Sequence, residues 1–267
     1  MSTANTPGFT AEKLVRWTGN LDKVALDALA RPGSLIVSAT KVGYILMAID
    51  GIGLGRKFDA KQRNRNKPAV VLCASLEELE ELAVLNNEIR AFYRMHWESG
   101  LLLGCILPWR TQAQTRIPDS TTRELVMDGR GTSCFVVRFG RPAEQLVAAL
   151  WDKGRLVFAS SANPSGIGNE GRVDGIGERI AQAADCIVEA DEYVSSIQPG
   201  KDQSQRHEQG VMVSMVDDEG KLIPEQHGQR SVTPCPVLIR RGLDYEQIME
   251  NLAVTFQSWD YRHGQYY

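Results

Sequence analysis

Two short stretches hold the residue types that could do chemistry. The first is Lys61-Gln62-Arg63-Asn64-Arg65-Asn66-Lys67-Pro68, four cations in seven residues, spaced by amides and closed by a proline. Proline cannot continue a helix and biases Lys67 towards extended geometry. The spacing therefore predicts a loop that presents its cations at the mouth of the apolar strand Val70-Val71-Leu72. Such a loop suits phosphate, because arginine offers a planar fork and lysine a point charge. The same composition also describes a solvated charge run. The second stretch is Ser160-Ser161-Ala162-Asn163-Pro164-Ser165-Gly166, which follows the apolar run Leu156 to Ala159. Short hydroxyls and an amide at a strand's carboxyl end sit where open α/β sheets bind ligands, and they can meet phosphate or ribose without steric cost. Taken alone it is equally an ordinary turn. No Ser/His/Asp or Cys/His order stands out, so the chemistry expected is electrostatic rather than covalent.

The elements that must position these stretches alternate between strand and helix. Residues 11 to 30 read as two short helices with Asn20 as a cap between them, ended by Arg31-Pro32-Gly33. Ser34 to Val37 reads as a first strand and Ser38-Ala39-Thr40-Lys41 as the loop leaving it. Val42 to Ile49 is apolar enough for a buried helix or strand, and Gly51-Ile52-Gly53-Leu54-Gly55 reads as a flexible turn. A strand at 70–73 meets Ser75 and Glu78, the pattern of a capping box for a helix over 76–84. A second helix over 87–96, a strand over 101–107, a long unstructured excursion over 109–131 and a strand over 135–139 follow. Pro142 opens a helix to Trp151, and strands near 186–189, 211–216 and 236–240 precede a helix over 245–252. The pattern predicts an α/β fold. Its organisation is a helical lead-in over 1–33, one domain over 34–253 and a tail over 254–267 whose aromatics pack on the body or on another subunit.

The chain's 267 residues, 43% of them hydrophobic, suffice for a substantial core. A net charge of -3 argues against a general nucleic-acid coat and leaves room for a local basic pocket. The five cysteines are scattered without a CxxC pair, as buried reduced thiols would be. His207, His227 and His263 show no ligand-like spacing, so no metal site is expected. Asp217-Asp218-Glu219 reads as a turn. The polar start predicts no secretory signal, and the apolar runs fall short of a membrane span, which together predict a cytoplasmic protein.

Taken together, Lys61-Gln62-Arg63, Lys67-Pro68 and Ser161-Ala162-Asn163-Pro164-Ser165-Gly166 resemble the YrdC-like family of L-threonylcarbamoyladenylate synthases. Arg138 supports the likeness, with echoes at Trp97 and at Leu238-Ile239-Arg240-Arg241-Gly242. The resemblance implies a twisted open mixed sheet with helices packed on it, a YrdC-like (RibB-like) architecture with a large concave basic cavity. It further implies synthesis of threonylcarbamoyl-AMP from L-threonine, bicarbonate and ATP, with release of pyrophosphate, for N6-threonylcarbamoyladenosine in tRNA. By position, Lys61 and Arg63 would hold phosphate and the carboxylated amine. Lys67, Ser161, Asn163, Ser165, Arg138 and Arg240 would bind the nucleotide, and Mg²⁺ would accompany ATP.

Two family signatures are replaced. Pro-Thr-acid-Thr followed by Tyr-Gly becomes Ser38-Ala39-Thr40-Lys41-Val42-Gly43-Tyr44, and Pro-Gly-Pro-Leu-Thr after the tryptophan becomes Glu98-Ser99-Gly100-Leu101-Leu102. The helix that carries the Lys-x-Arg motif reads as shortened and broken by glycine. Thr40, Lys41 and Tyr44 are then the candidates for the amino-acid pocket, with Lys41 directed either into it or to solvent. Beside the synthase stand two further readings: carbamoyl transfer to a different substrate, and a non-catalytic module that binds RNA or a nucleotide. Oligomeric state is left open.

Overall fold

Alternating apolar residues along the strands bury both faces of one sheet, but they do so unequally. The computed structural model describes residues 13–62, 65, 67–164, 166, 168–200 and 208–262. Its strands are β1 (Leu14–Arg16), β2 (Ile36–Thr40), β3 (Gly43–Ala48), β4 (Val70–Leu72), β5 (Leu103–Pro108), β6 (Thr132–Val137), β7 (Phe158–Ser161), β8 (Cys186–Glu189), β9 (Val211–Ser214), β10 (Val237–Arg240) and β11 (Asp260–Tyr261). Its helices are α1 (Lys23–Leu29), α2 (Gly51–Lys61), α3 (Leu76–Leu82), α4 (Asn87–Glu98), α5 (Ser120–Val126), α6 (Arg141–Trp151), α7 (Glu178–Ala183), α8 (Asp191–Ile197) and α9 (Tyr245–Thr255). The described strands form one mixed sheet in the order β1-β8-β2-β3-β7-β4-β6-β5-β9-β10-β11. The hairpin β2–β3 and the pairs β3–β7, β4–β7 and β5–β6 are antiparallel, while β2–β8, β4–β6 and β5–β9 are parallel.

One face carries Leu46, Val71, Phe135 and Phe158, packed under Phe58 of α2 and Phe92 of α4. On the other face Ile36, Met47 and Val188 meet Ala25 and Leu29 of α1 and Ala143 and Val147 of α6. Because side chains alternate along each strand, the ladder pairs Ile45–Ser161, Val70–Ala159 and Leu72–Val136 put these residues on that second face too. There they border a cavity, and the fold's site lies over the sheet centre.

Several local readings of the sequence need correction. The glycines at 51, 53 and 55 lie inside α2 and make no turn. Asp50 caps that helix, its carboxylate accepting from Gly53 N at 2.8 Å and from Gly33 N at 2.7 Å. Gly53 is there for close approach, since a Cβ would stand 2.3 Å from the Ser34 carbonyl oxygen. Packing thus overrides glycine's poor helix propensity, about 1 kcal/mol. The helix carrying Lys61 is consequently unbroken, and the basic stretch begins inside it. In place of the first expected helix, Leu14–Arg16 pairs with β8. α1 starts after Asp22, not Asn20, with the Asp22 carboxylate accepting from Ala25 N at 2.9 Å. The supposed excursion over 109–131 contains a short 3₁₀ turn, Ala113–Arg116, and α5, capped by Asp119 on Thr122 N at 2.7 Å. The cap at Ser75 is as expected: its Oγ accepts from Glu78 N at 3.0 Å. The Glu78 carboxylate reaches back to Ala74 N at 2.8 Å. All five cysteines are free and four are buried. Among the described residues no helix is long and apolar enough to cross a membrane.

Candidate functional site: a cationic cavity on the open sheet face

A cavity of about 370 Å³ lies on the second face. Its floor is apolar: Ile45 from β3, Ala159 from β7, Val70 and Leu72 from β4, Val136 from β6 and Met212 from β9. Its rim is polar. Lys67 and Pro68 stand at the entry to β4, Ser160, Ser161 and Asn163 at the exit of β7, and Gln209 and Arg240 at the far side. Among the described residues the lining contains two cations and no carboxylate. A hollow with one sign of charge on low-dielectric walls attracts anions.

The two stretches picked out by sequence do meet. Lys61, the last residue of α2 and 4% exposed, donates from Nζ to the Ser161 carbonyl and to Ser161 Oγ, the latter at 3.1 Å. Gln62 ends the helix in the left-handed region at φ 48°. Lys61 therefore holds the turn after β7 from behind and is not part of the cavity wall, whereas Lys67 is. Asn163 lines the cavity and donates from Nδ2 to the Pro164 carbonyl at 3.1 Å. Arg63 and Ser165 lie outside the described residues.

Arg240 lines the far side, with Nε on the Gly210 carbonyl at 2.8 Å. Arg138 does not line the cavity. It lies just past β6 at φ 55°, its Nε donating to the Trp97 carbonyl at 2.9 Å and its guanidinium stacked 3.9 Å from the Trp97 ring centre. Lys41 likewise is neither in the cavity nor loose in solvent. Its Nζ donates to the Gly100 carbonyl, and desolvation pulls its pKa down.

Thr40 and Tyr44 both border the cavity. Tyr44 turns its hydroxyl away, donating to Asp191 Oδ1 at 2.5 Å and accepting from Ala190 N at 2.9 Å. Burial pushes this phenol's pKa far up and the Asp191 carboxyl's up as well. Thr40 Oγ1 donates to the Gly43 carbonyl at 2.6 Å and accepts from Val42 N at 3.2 Å.

Sequence reasoning passed over three wall groups. Asn169 donates from Nδ2 to the Tyr44 carbonyl at 3.1 Å, accepts at Oδ1 from Gly171 N at 2.9 Å, and so fastens the loop after β7 to the β2–β3 hairpin. Gln209 and Gly210 arrive from beyond β8. No spacing rule joins any of these to Ser161, and only the topology does. Ser160 Oγ is buried with no hydrogen-bond partner among the described residues, and the pairing of Ser160 with Leu46 directs it to the first sheet face. A buried hydroxyl without a partner is costly unless a ligand or water completes it. Among the described residues no cluster of His, Cys, Asp or Glu could hold a metal.

The model of the Sua5/YciO/YrdC family, described as telomere recombination, matches residues 28–199, and the chain belongs to this family. Its fold is similar to that of a hypothetical protein, smu.1377c, from Streptococcus mutans UA159, at 53% identity and a TM-score of 0.89 over 95% of this chain and 99% of that one. It is also similar to P. abyssi Sua5 complexed with L-threonine, at 21% identity and a TM-score of 0.58, over 90% of this chain and 61% of that one. E. coli YciO gives 19% identity and a TM-score of 0.58 over 86% and 94% of the two chains. Among curated proteins no relative matches.

Proposed function

We propose that the chain is an amino-acid carbamoyl-adenylate synthase of the threonylcarbamoyl-AMP type, the activity for which its family is known. The amine of an amino acid adds to bicarbonate, giving a carbamate and water. A carbamate oxygen then attacks the α-phosphorus of ATP, the bond to the β-phosphate oxygen breaks, and pyrophosphate leaves. With threonine the product is threonylcarbamoyl-AMP, the precursor of N6-threonylcarbamoyladenosine in tRNA.

The observation that carries this reading is the company the two cations keep. Lys67 and Arg240 share a lining with Ser160, Ser161 and Asn163, over an apolar floor. Phosphoryl and nucleotidyl transfers need little covalent help, so placed cations and short donors that neutralise developing charge supply most of the catalysis. The floor suits a base or an apolar side chain. The lining offers hydroxyl and amide oxygens and, among its described residues, no carboxylate, so Mg²⁺ would enter as the nucleotide's complex, with phosphates and water as its ligands.

The test is release of pyrophosphate from ATP by the full chain, with bicarbonate and each amino acid supplied in turn. Release that requires both co-substrates supports the reading. Release that ignores bicarbonate, or none with any amino acid, refutes it.

A further inference from the structure

Arg240 reaches the cavity because its strand is irregular. Leu238 pairs with Val213 on the first sheet face, so regular alternation would set Ile239 on the second face and return Arg240 to the first. The register instead shifts between Leu238 and Arg240, and Arg240 stands opposite Met212. Met212 and Ile239 both line the cavity, and Arg240 lines it beside them. A bulge of this kind re-aims a side chain, but it does not by itself fix a long guanidinium.

A carbonyl fixes it. Arg240 Nε donates to the Gly210 carbonyl at 2.8 Å, so the place of the cation follows the place of Glu208-Gln209-Gly210. That segment is held at two further points. Leu243 N donates to the Gln209 carbonyl at 2.8 Å, and Gly242 allows the approach, since a Cβ there would stand 1.9 Å from the same oxygen. Glu208 N donates to Gln198 Oε1 at 2.9 Å.

Gln198 follows α8, is only 5% exposed and lies outside the cavity lining. Its Nε2 donates to the Lys41 carbonyl at 3.0 Å. One partner is an N–H and the other a carbonyl, which assigns the two ends of the amide. Lys41 is itself anchored, its N–H on the Phe139 carbonyl at 2.8 Å. A single buried amide thus joins the β2–β3 hairpin to the segment that supplies the acceptor for Arg240.

We infer that Gln198 is a positioning residue for the cation on the far side of the cavity. It sets the 208–210 segment against the β2–β3 hairpin and, through the Gly210 carbonyl, orients the Arg240 guanidinium for the phosphates of the nucleotide. The inference rests on the synthase reading for its ligand and extends it to a residue that never touches that ligand.

The full chain is titrated calorimetrically with an ATP analogue carrying a methylene bridge between the α- and β-phosphorus. Gln198→Met fills the same space without either hydrogen bond and is expected to weaken binding about tenfold. Arg240→Ala should weaken it at least as much. The double variant decides the route: with Arg240 gone, Gln198→Met should add less than about a twofold loss, whereas a merely structural role would add its full loss. Glu208→Pro deletes the bond to Gln198 from an exposed position and should match Gln198→Met, so the outcome does not hang on one core variant folding. Wild-type affinity in any folded one of the three single variants, or additive losses in the double, overturns the inference. If the wild-type chain binds the analogue, only the positioning role then falls; if it does not, the synthase reading falls and this one with it.

Discussion

Lys61 Nζ donates to both the main-chain carbonyl and the Oγ of Ser161, a hundred residues further along the chain. The end of α2 is thereby tied to the end of β7, and the buried ammonium fixes where Ser161 and Asn163 present themselves to the cavity. Lys61 acts as a positioning residue, through the turn it holds.

Lys61→Ala should therefore cut pyrophosphate release by at least about tenfold, the scale of losing one placed electrostatic contact. The far-UV circular dichroism should stay native. The readout specific to positioning is a rise in the KM for ATP together with the fall in kcat, partly restored by Lys61→Arg. Wild-type rates for Lys61→Ala would show that the β7 turn needs no such tie.

Lys67 differs from Lys61 in standing exposed on the rim, and substitution there should spare the fold. A ligand present at a hundred times its Kd stabilises a protein by about 2.7 kcal/mol. ATP should accordingly raise the Tm of the wild-type chain by several degrees. Lys67→Glu should keep the ligand-free Tm and lose most of the ATP-induced rise. Equal rises in the two proteins would place the nucleotide elsewhere.

Gly43 and Asn169 predict a different failure. Gly43 sits at φ +96°, and a Cβ there would lie 2.1 Å from Asn169 Oδ1, 2.3 Å from its Cγ and 2.5 Å from its Nδ2. Gly43→Ala should destabilise the chain by about 1–3 kcal/mol in urea denaturation, from backbone strain alone, and should also release the loop after β7. Asn169→Gly removes the clash without removing the strain. The double variant should recover part of the stability but not nucleotide binding, because Asn169→Gly also deletes the bond from Nδ2 to the Tyr44 carbonyl that fastens the loop; recovered nucleotide binding would contradict this division.

The order of strands and helices was largely legible because hydrophobic runs bounded by Gly and Pro are local signals. The meeting of Lys61 with Ser161 was legible only as a resemblance between two motifs. What escaped was set by distant partners. Gly53 looks like a breaker until Ser34 and Ala48 are seen pressed against it. Leu14–Arg16 has too few residues to declare a strand without β8 beside it. Arg138 and Lys41 read as cavity cations because sequence gives charge but not direction, and both directions are fixed by backbone carbonyls from a third segment, Trp97 and Gly100.

His96 should make stability fall on acidification. Its ring is buried between α4 and α9, with Nδ1 on the Phe92 carbonyl at 2.7 Å and Nε2 facing Asn251 Nδ2 at 3.5 Å. The carbonyl partner assigns the proton to Nδ1. Desolvation pushes the folded-state pKa down to about 4 from 6.5. Between those values the unfolded chain binds the extra proton, so this contribution is complete above pH 6.5 and is lost as pH falls towards 4. Glu78 works in the opposite sense. Burial pushes its carboxyl up to about 7 from 4.5, so its contribution is complete below 4.5 and is lost as pH rises through 7. Urea unfolding at stepped pH should show that His96→Gln removes destabilisation on the acid side and Glu78→Gln removes it on the neutral side. An unaltered pH profile in either variant would refute the corresponding assignment.

Tyr44 is a residue of the cavity lining, but its side chain is fully buried in the core of the first sheet face with Leu46, and its hydroxyl is spent there. The phenol donates to Asp191 Oδ1 and accepts from Ala190 N, while Asp191 Oδ1 also accepts from Val173 N at 2.9 Å. This network binds β3 to the start of α8 and to the segment before α7, at a point buried from water. Tyr44→Phe keeps the buried ring but leaves the Ala190 amide without its partner and Asp191 with one bond fewer. The expected cost is about 1–3 kcal/mol of stability, read as a lower urea midpoint with an unchanged m value. At a temperature where the variant remains folded, KM for the amino acid and kcat should lie within about twofold of wild type, since the hydroxyl is spent on Asp191 and Ala190 and takes no part in uniform or transition-state binding. A KM raised tenfold with stability untouched would reverse the assignment and make Tyr44 a substrate-contacting residue.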